Sequence, residues 1–343
     1  ADMSGDGMAD VVRIRNGEVC YWPNLGYGRF GAKVTMHNAP VFASGHDYNP
    51  DYLFLTDVSG TGATDLLYLG DNNFKAWFNH SGNSFSEAFV IDYFPSTVKP
   101  NNVSVLDFLG NGTGCIVWSS PLPDNSRSPL RYIDLTGGKK PYIVNSYKNN
   151  FGKVTNVEYK SSTQYYLEDK KNGTPWITKL PFPVQCVSKV EVSDEITGVR
   201  FTNEYSYHHG YYDHLEREFR GFGRVEQTDT EAFDEYSRNT SNEIQEEEFY
   251  QPPVRTKTWI HTGAFLDKDK ILSQYSSEYF QNPNEYHLPE PILDNNWTAQ
   301  EWHEALRTCK GMILRQEIYS EDGSEEETFP YSVAEHNCNI QML

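Results

Sequence analysis

The distribution of apolar and polar residues predicts short, repeated strands in the first part of the chain. An apolar run follows an acidic, glycine-containing segment, and a turn then leads to a second apolar run that ends in tryptophan. The first runs are at residues 11–14 and 66–69, the turns at Asn16-Gly17 and 71–73, and the tryptophans are Trp22 and Trp77. Asn-Gly between two strand-like runs is a strong signal for a β-hairpin. A further strand through Phe30 or Phe85 brings each unit to about four strands, as in a propeller blade.

From about residue 145 the pattern changes to longer strands. Residues 153–159 and 201–207 alternate between apolar or aromatic and polar side chains. A period of two residues predicts strands with one buried face and one wetter face. Tyr and Phe are abundant, and Gly and Pro are spread through the whole chain. We therefore predict an all-β fold.

One short helix is the predicted exception. Thr298 and Glu301 form a capping-box pattern, in which each side chain bonds the other residue's backbone. Trp302, Ala305 and Leu306 then fall on one helical face. We expect a single helix over residues 298–306 that docks on the strands through this face.

The first part of the chain also repeats itself. Acidic segments begin at Asp2 and Asp57, 55 residues apart, and a weaker copy begins at Asp107, after another 50. At the same offset of 55, Trp22 corresponds to Trp77, Asn24 to Asn79 and Phe30 to Phe85. Periods of this size are typical of propeller blades or solenoid units. We assign residues 1–145 to blades of a β-propeller and 146–343 to a second domain. Since two or three blades cannot close a ring, we expect the chain to be part of a longer polypeptide.

The first acidic segment has the ligand pattern of a calcium-binding loop. Calcium takes oxygen ligands, and glycines between them permit the tight turn. Oxygens at alternate positions come from Asp2, Ser4, Asp6, the carbonyl of Met8, and Asp10. This segment is therefore a candidate Ca²⁺ site. The open alternative is a set of Asx turns, in which aspartate and serine cap their own backbone.

The second acidic segment is a weaker candidate, and the third is not one. The oxygens of the second segment come from Asp57, Ser59, Thr61 and Asp65. Thr61 stands where the first copy has a carboxylate, which lowers the ligand charge. In the third copy Leu109 and Cys115 stand where oxygens are needed. We expect no metal there.

Charge and cysteine content exclude several functions. The formal net charge of −19 argues against nucleic acid or an anionic membrane as the main partner, since basic patches bind both. Direct membrane insertion is not expected, because no apolar run approaches the roughly 20 residues of a membrane span. The five cysteines have no paired spacing typical of zinc or redox sites, which favours free thiols.

Long and unusual sequence strings resemble one family. They lie at residues 12–31, 176–184, 207–213 and 216–227. They closely resemble the middle region of the B component of bacterial insecticidal toxin complexes, the Tc toxins, which are related to SpvB-like and RHS-repeat proteins. The resemblance covers residues 1 to about 230, and the remainder is similar but less distinctive.

The resemblance implies a fold and a role. Residues 1–145 would be the C-terminal blades of an FG-GAP-type β-propeller that docks on the channel-forming A subunit and gates it. Residues 146–343 would begin an RHS-type β-shell that helps to enclose the toxic enzyme, which belongs to the toxin-carrying C component. The chain itself would be a secreted container and gate with no catalytic residues.

Residues 208–218 allow a rival interpretation. This stretch is rich in residue types that bind metals or transfer protons: His208, His209, Asp213, His214, Glu216 and Glu218. On a strand, however, adjacent histidines point to opposite faces, which favours a structural role. No nucleophile elbow, phosphate-binding loop or dinucleotide motif is present in the sequence. Two alternatives stay open: a calcium-dependent propeller adhesin or carbohydrate-binding module, and a carboxylate-dependent hydrolase.

Overall fold

A computed structural model describes residues 1–45, 47–70, 73–92, 102–198, 200–229, 252–282, 288 and 297–340. The chain is mostly β and divides into two compact units, Ala1–Ile143 and Val144–Leu343. Among the described residues, no helix is both long and apolar enough to cross a membrane.

The first unit contains short antiparallel strands in several small sheets. Its described residues form twelve strands: β1 (Val11–Arg15), β2 (Glu18–Trp22), β3 (Val34–Thr35), β4 (Leu53–Thr56), β5 (Asp65–Leu69), β6 (Phe74–Trp77), β7 (Asn79–His80), β8 (Ser84–Phe85), β9 (Phe89–Ile91), β10 (Val103–Leu106), β11 (Cys115–Ser119) and β12 (Leu130–Asp134). The sheets have the orders β1-β2-β3, β4-β5-β6-β9 and β10-β11-β12, and β7 pairs with β8. The second of these sheets has the four strands that the sequence predicts per unit, whereas the first and third have three.

The offset of 55 residues appears in the strand pairing. Val11 pairs with Trp22 in the first sheet, and Leu66 pairs with Trp77 in the second. Beyond the tryptophans, Asn24 bridges Phe30 just as Asn79 pairs with Phe85. The sequence repeat is therefore also a structural repeat.

Strand β5 is buried on both faces of its sheet. All five residues of β5 are buried. Leu66 belongs to a core cluster that includes Met3, Phe42 and Trp77. Its neighbour Leu67 belongs to a second cluster with Val103, Ile116 and Trp118. Successive strand residues point to opposite faces, so β5 contributes to the cores on both sides of its sheet.

The second unit is built on one antiparallel sheet of eight strands in sequence order. The strands are β13 (Ser146–Lys148), β14 (Lys153–Ser161), β15 (Gln185–Asp194), β16 (Arg200–Asp213), β17 (Glu218–Asp229), β18 (Val254–Ile260), β19 (Ile313–Ser320) and β20 (Ser332–Glu335). β16 and β17 are the longest, at 14 and 12 residues. This agrees with the long strands predicted from the alternating pattern.

Three α-helices accompany this sheet among the described residues: α1 (Ser162–Lys171), α2 (Lys268–Glu278) and α3 (Ala299–Thr308). The prediction of α3 is confirmed with its capping box, since Glu301 N–H donates to Thr298 Oγ1 and Thr298 N–H donates to Glu301 Oε2. The expectation of a single helix is wrong.

The two helices that the sequence did not reveal have weak apolar periodicity. The buried residues of α1 are Ser162, Tyr165 and Asp169, two of which are polar. Those of α2 are Ile271 and Tyr275. Such a face does not produce the apolar stripe by which a helix is read from sequence.

Candidate functional site

The first acidic segment is a turn held by its own carboxylates. Asp2 accepts hydrogen bonds from the backbone N–H groups of Gly5 and Gly7, each at 2.7 Å. Asp6 accepts one from the N–H of Met8 at 2.9 Å. Gly5 and Gly7 have φ angles of 80° and 86°, in the left-handed region that glycine adopts without steric cost. The hydroxyl of Ser4 lies 3.4 Å from Asp2 Oδ1.

Asp10 connects this turn to the strand region that follows. Its Oδ2 accepts from the N–H of Met3 and its Oδ1 from the N–H of Asn24, both at 2.9 Å. The residue is buried. Both carboxylate oxygens of Asp10 are therefore engaged by backbone donors.

The second segment repeats the arrangement of the first. Asp57 accepts from the N–H groups of Gly60 and Gly62 at 2.7 and 2.8 Å. The hydroxyls of Ser59 and Thr61 lie 3.1 Å apart, and Ser59 Oγ is 3.4 Å from Asp57 Oδ1. These side chains, too, are bonded within the turn.

Asp65 is the counterpart of Asp10 and is fully buried. It accepts from the N–H groups of Val58 and Ser59 at 3.0 and 2.9 Å, and from that of Asn79 at 2.8 Å. Burial raises the pKa of Asp65, and these hydrogen bonds lower it in part. The carboxylate thus fixes the loop to the hairpin that follows Trp77.

The third segment keeps only the cap. Asp107 accepts from the N–H groups of Asn111 and Gly112 at 3.0 and 2.9 Å. Cys115, at the position of Asp10 and Asp65, is a buried thiol.

In all three copies the first aspartate caps the backbone of its own loop, as expected for Asx turns. Throughout the described ranges, one group of three His, Cys, Asp or Glu side chains brings its ligand atoms within 4.8 Å of one another: Glu216, His303 and Glu304. The carboxylates of the first acidic segment do not converge in this way. Calcium binding by the first or second segment remains a prediction.

In the second unit, His208 and His209 lie in a buried polar network. The Nδ1 atom of His208 is 2.5 Å from Asp169 Oδ2, which also accepts from Trp176 Nε1 at 2.5 Å. The Nε2 atom of His209 is 2.8 Å from Glu278 Oε1. Asp169 lies on α1 and Glu278 on α2, so the two histidines fasten both helices to β16.

The expectation that the adjacent histidines point to opposite faces is wrong. Their rings are 6.5 Å apart, and the ring of Trp176 lies 6.2 Å from that of His209. His209 has a φ of 58°, and the β16–β17 register shifts immediately after it, between Gly210 and Tyr212. A bulge of this kind re-aims a side chain, which a strict period of two does not anticipate.

Asp213 belongs to a separate cluster. It pairs with Arg220 at 2.9 Å and accepts from the N–H of Leu215 at 3.0 Å. His303 on α3 approaches it at 3.3 Å, and Glu216 lies 4.0 Å from the same imidazole. The residues that are close together in sequence therefore serve two clusters, and each cluster attaches helices to the sheet.

The buried carboxyl groups stay ionised because of their partners. Burial is the largest single influence on the pKa of Asp169 and raises it, but the hydrogen bonds from His208 and Trp176 and the nearby charges of His208 and Arg224 together lower the pKa below its usual range. For Glu278, burial is likewise outweighed by His209 and Arg224, and its pKa is lowered. Arg224 Nη1 donates to Glu278 at 2.6 Å.

Three residues of this network, Ser206, His208 and Asp169, lie in a row that resembles a hydrolytic triad. Ser206 Oγ lies 3.2 Å from His208 Nε2, and Asp169 orients the other imidazole nitrogen. The row faces a groove of about 530 Å³ whose lining is polar and largely charged and includes Lys189 and Glu204. Those two residues form a cross-strand ion pair at 3.2 Å.

The backbone around Ser206 differs from that of an acyl-transfer site. An acyl-transfer site needs N–H donors aimed at a developing oxyanion. Ser206 lies within the β16–β17 ladder opposite Glu226, and strand N–H groups point along the sheet, not into a groove above its face. Glu226 also lies 3.8 Å from His208 Nε2, where it competes with the hydroxyl. Ser206, His208 and Asp169 are thus joined by hydrogen bonds.

Comparison with known proteins gives the family. The protein-family model of the insecticide toxin TcdB middle/N-terminal region matches residues 79–263, more than half of the chain. That of the TcdB middle/C-terminal region matches residues 304–343. The chain belongs to the insecticide toxin TcdB family. The resemblance that its sequence motifs indicate is thereby confirmed.

Solved structures agree with membership of the TcdB family. The crystal structure of TcdB2-TccC3 without its hypervariable C-terminal region is 30% identical, covers 99% of the chain and has a TM-score of 0.84. The complex TcdB2-TccC3-Cdc42 and the Tc holotoxin pore of Photorhabdus luminescens are also 30% identical, with TM-scores of 0.83 and 0.81. The chain spans 16% of the length of each of these matched chains. No curated protein sequence matches it.

Several residues of the polar network in this TcdB-family chain were not predicted from the sequence. Asp169, Trp176 and Glu278 lie far from the histidines in sequence, and no local pattern indicates that they contact them. Arg315 and Glu317 on β19 were also not predicted from the sequence. They are fully buried and form an ion pair at 2.6 Å. Their spacing of two residues was the available signal, since in a strand it places both side chains on one face.

Proposed function

We propose that this chain is a non-catalytic structural part of a bacterial toxin-delivery complex. Its first unit would supply propeller blades that dock on the channel-forming A subunit and gate it. Its second unit would be the beginning of a shell that helps to enclose the cargo of the toxin-carrying C component. The complete protein would be secreted.

The observation that carries this proposal is the match over 99% of the chain to TcdB2 in its complex with TccC3. A second match is the structure of a Tc holotoxin pore. The polar clusters support a structural role, because their charged side chains pair with one another across helix and sheet.

The first unit has features suited to docking. Its repeated sheets share two cores, which supports the assignment to propeller blades. The turn between Asn24 and Phe30 presents Leu25 and Tyr27 to solvent, and Tyr27 is fully exposed. Exposed loops on a rigid scaffold carry binding more often than the scaffold itself does.

The second unit has features suited to a container wall. Its eight antiparallel strands follow one another in sequence order, so the sheet grows without long crossovers. Opposed residues such as Lys189 and Glu204 pair across strands on one face. A face with internally paired charges stays hydrated without an apolar core, as an enclosing surface requires.

The test uses the complete B component carrying Tyr27→Ala, with Ile196→Ala as the matched control. Both side chains are exposed apolar residues in turns, but Ile196 belongs to the second unit. Tyr27→Ala is expected to weaken capture of the A subunit while retention of the C component is unchanged. If Tyr27→Ala captured the A subunit normally and Ile196→Ala lost capture, docking would belong to the second unit and the proposal would be wrong. Asn125 is a second loop position for the same test, whereas Asn72 lies outside the described residues.

A further inference from the structure

Two cysteines distant in sequence meet in the second unit. Cys309 follows the last residue of α3, and Cys338 follows β20. Their sulfur atoms lie 3.4 Å apart. Sequence spacing gave no reason to pair them.

The backbone fixes this approach. β19 and β20 are antiparallel, with Arg315 opposite Glu335, and the N–H of His336 donates to the carbonyl of Leu314 at 2.9 Å. The chain after β20 therefore runs back past the start of β19 towards the end of α3. There the N–H of Met312 donates to the carbonyl of Cys309 at 3.0 Å. The path of the backbone therefore brings the two short cysteine side chains together.

The other three cysteines have different surroundings. Cys20, Cys115 and Cys186 are buried free thiols. The sulfur of Cys186 lies 3.5 Å from the carbonyl oxygen of Val184, two residues away in its own strand region. They behave as small core residues.

We propose that Cys309 and Cys338 are an oxidisable dithiol that becomes a disulfide in an oxidising compartment and fastens the segment after β20 to α3. The sulfur atoms must move from 3.4 Å to a bond length of about 2 Å, which side-chain rotation and small backbone shifts can supply. Oxidising conditions prevail outside the cell, whereas thiols stay reduced in the cytosol. The inference does not rest on the proposed function.

The exposure of the two thiols sets the order of the reaction with a low-molecular-weight disulfide such as oxidised glutathione. Cys338 is partly exposed, and its thiolate attacks one glutathione sulfur, forming a mixed disulfide and releasing one glutathione thiolate. Cys309 then loses its proton to solvent and attacks Cys338 Sγ. This attack breaks the mixed disulfide and releases the second glutathione thiolate. Two protein thiols become one disulfide, and one oxidised glutathione becomes two reduced molecules.

Cys309 is suited to the second step only. It is 2% exposed, and burial together with the neighbouring Cys338 raises its pKa to about 12. A thiol that is so rarely ionised reacts slowly with a reagent in solution. A sulfur already held at 3.4 Å is reached without diffusion.

The experiment incubates the purified protein in glutathione buffers of increasing oxidation, followed by denaturation, alkylation with iodoacetamide and mass spectrometry of peptides. The oxidised protein is expected to contain a peptide pair linked through Cys309 and Cys338, with the other three cysteines alkylated. Cys338→Ser should abolish the link. Cys186→Ser, which removes a buried thiol elsewhere, should retain it.

A second readout tests whether the bond fastens the fold. Oxidation is expected to raise the melting temperature of the wild-type protein by roughly 5–10 °C, and to leave that of Cys338→Ser unchanged. Alkylation of all five cysteines after oxidation, or a stable glutathione adduct on Cys338 in place of the link, would overturn the proposal. A link that forms without any rise in melting temperature would overturn the fastening role.

Discussion

The carboxylate of Asp65 accepts a hydrogen bond from the backbone N–H of Asn79 at 2.8 Å, across a separation of 14 residues. The same relationship joins Asp10 to Asn24 at 2.9 Å. In the first two repeats, the last aspartate of the acidic segment thus holds the loop before one strand to the segment that follows the next strand. The buried end of the acidic segment stabilises the repeat, whatever its exposed end binds.

Replacement of Asp65 by alanine is expected to lower the free energy of unfolding by about 3 kcal/mol. Three backbone N–H groups would lose their acceptor in a buried place, and each such loss costs on the order of 1 kcal/mol or more. Urea denaturation measures the change. Asp6→Ala is the control, because exposed Asp6 accepts one bond and should cost less than about 1 kcal/mol. Equal losses in the two variants would contradict this account.

Calcium titration by calorimetry tests the acidic segments directly. We expect at most weak binding, located in the first segment and reduced by Asp6→Asn. The third segment should contribute nothing, because Leu109 and Cys115 replace oxygen ligands. Tight binding that survives Asp6→Asn and is lost in Asn111→Ala would reverse this ranking.

Stability of the second unit should fall in acid. Asp169, Asp213 and Glu278 have pKa values lowered by their partners in the folded protein. For a carboxyl with a lowered folded pKa, the stabilisation is complete above the unfolded value of about 4 and is lost as the pH falls through the folded value. Urea midpoints measured from pH 7 to pH 3 should therefore decline below about pH 4.5. Asp169→Asn should show a shallower decline than the wild type, and an identical decline would argue against this assignment.

The row of Ser206, His208 and Asp169 is expected to have no hydrolytic role. Ser206→Ala should leave any esterase or peptidase background unchanged. His209→Ala should lower the free energy of unfolding by about 2–4 kcal/mol, because it leaves the buried Glu278 with fewer donors. A hydrolytic activity abolished by Ser206→Ala in a protein of unchanged melting temperature would establish catalysis instead.

Aromatic residues of the second unit should differ in their contribution to stability. Trp259 is fully buried, and Trp259→Ala is expected to cost about 3–5 kcal/mol. Tyr205 and Phe219 are only partly buried, so their replacement by alanine should cost less. Chemical denaturation of the three variants gives the order, and a larger loss for Phe219→Ala than for Trp259→Ala would contradict it.

Local signals in the sequence predicted much of the fold. The capping box of Thr298 and Glu301 located α3, and the offset between Trp22 and Trp77 located equivalent strand pairs. Helix α1 could not be predicted, because Asp169 is buried by a partnership with His208, 39 residues away. Burial that depends on a distant hydrogen-bond partner leaves no periodic trace in the sequence.

The candidate site was predicted less well for a related reason. The histidine pair was noticed from residue type, but the direction of His209 follows from its left-handed backbone and a local bulge. Non-glycine residues with positive φ are uncommon, so a period of two is the reasonable expectation for a strand. The acidic segments repeat clearly in sequence, yet the same residues serve as caps or as ligands, and only their contacts distinguish the two.

The burial of β5 on both faces has a consequence for folding. If either neighbouring sheet opened, Leu66 and Tyr68 on one side or Leu67 and Leu69 on the other would meet water. Each large side chain exposed in this way costs about 2 kcal/mol, which makes partly opened states of this unit scarce. The three sheets are therefore expected to unfold together in one transition. A truncation between two of them would expose an apolar face and leave an aggregation-prone fragment.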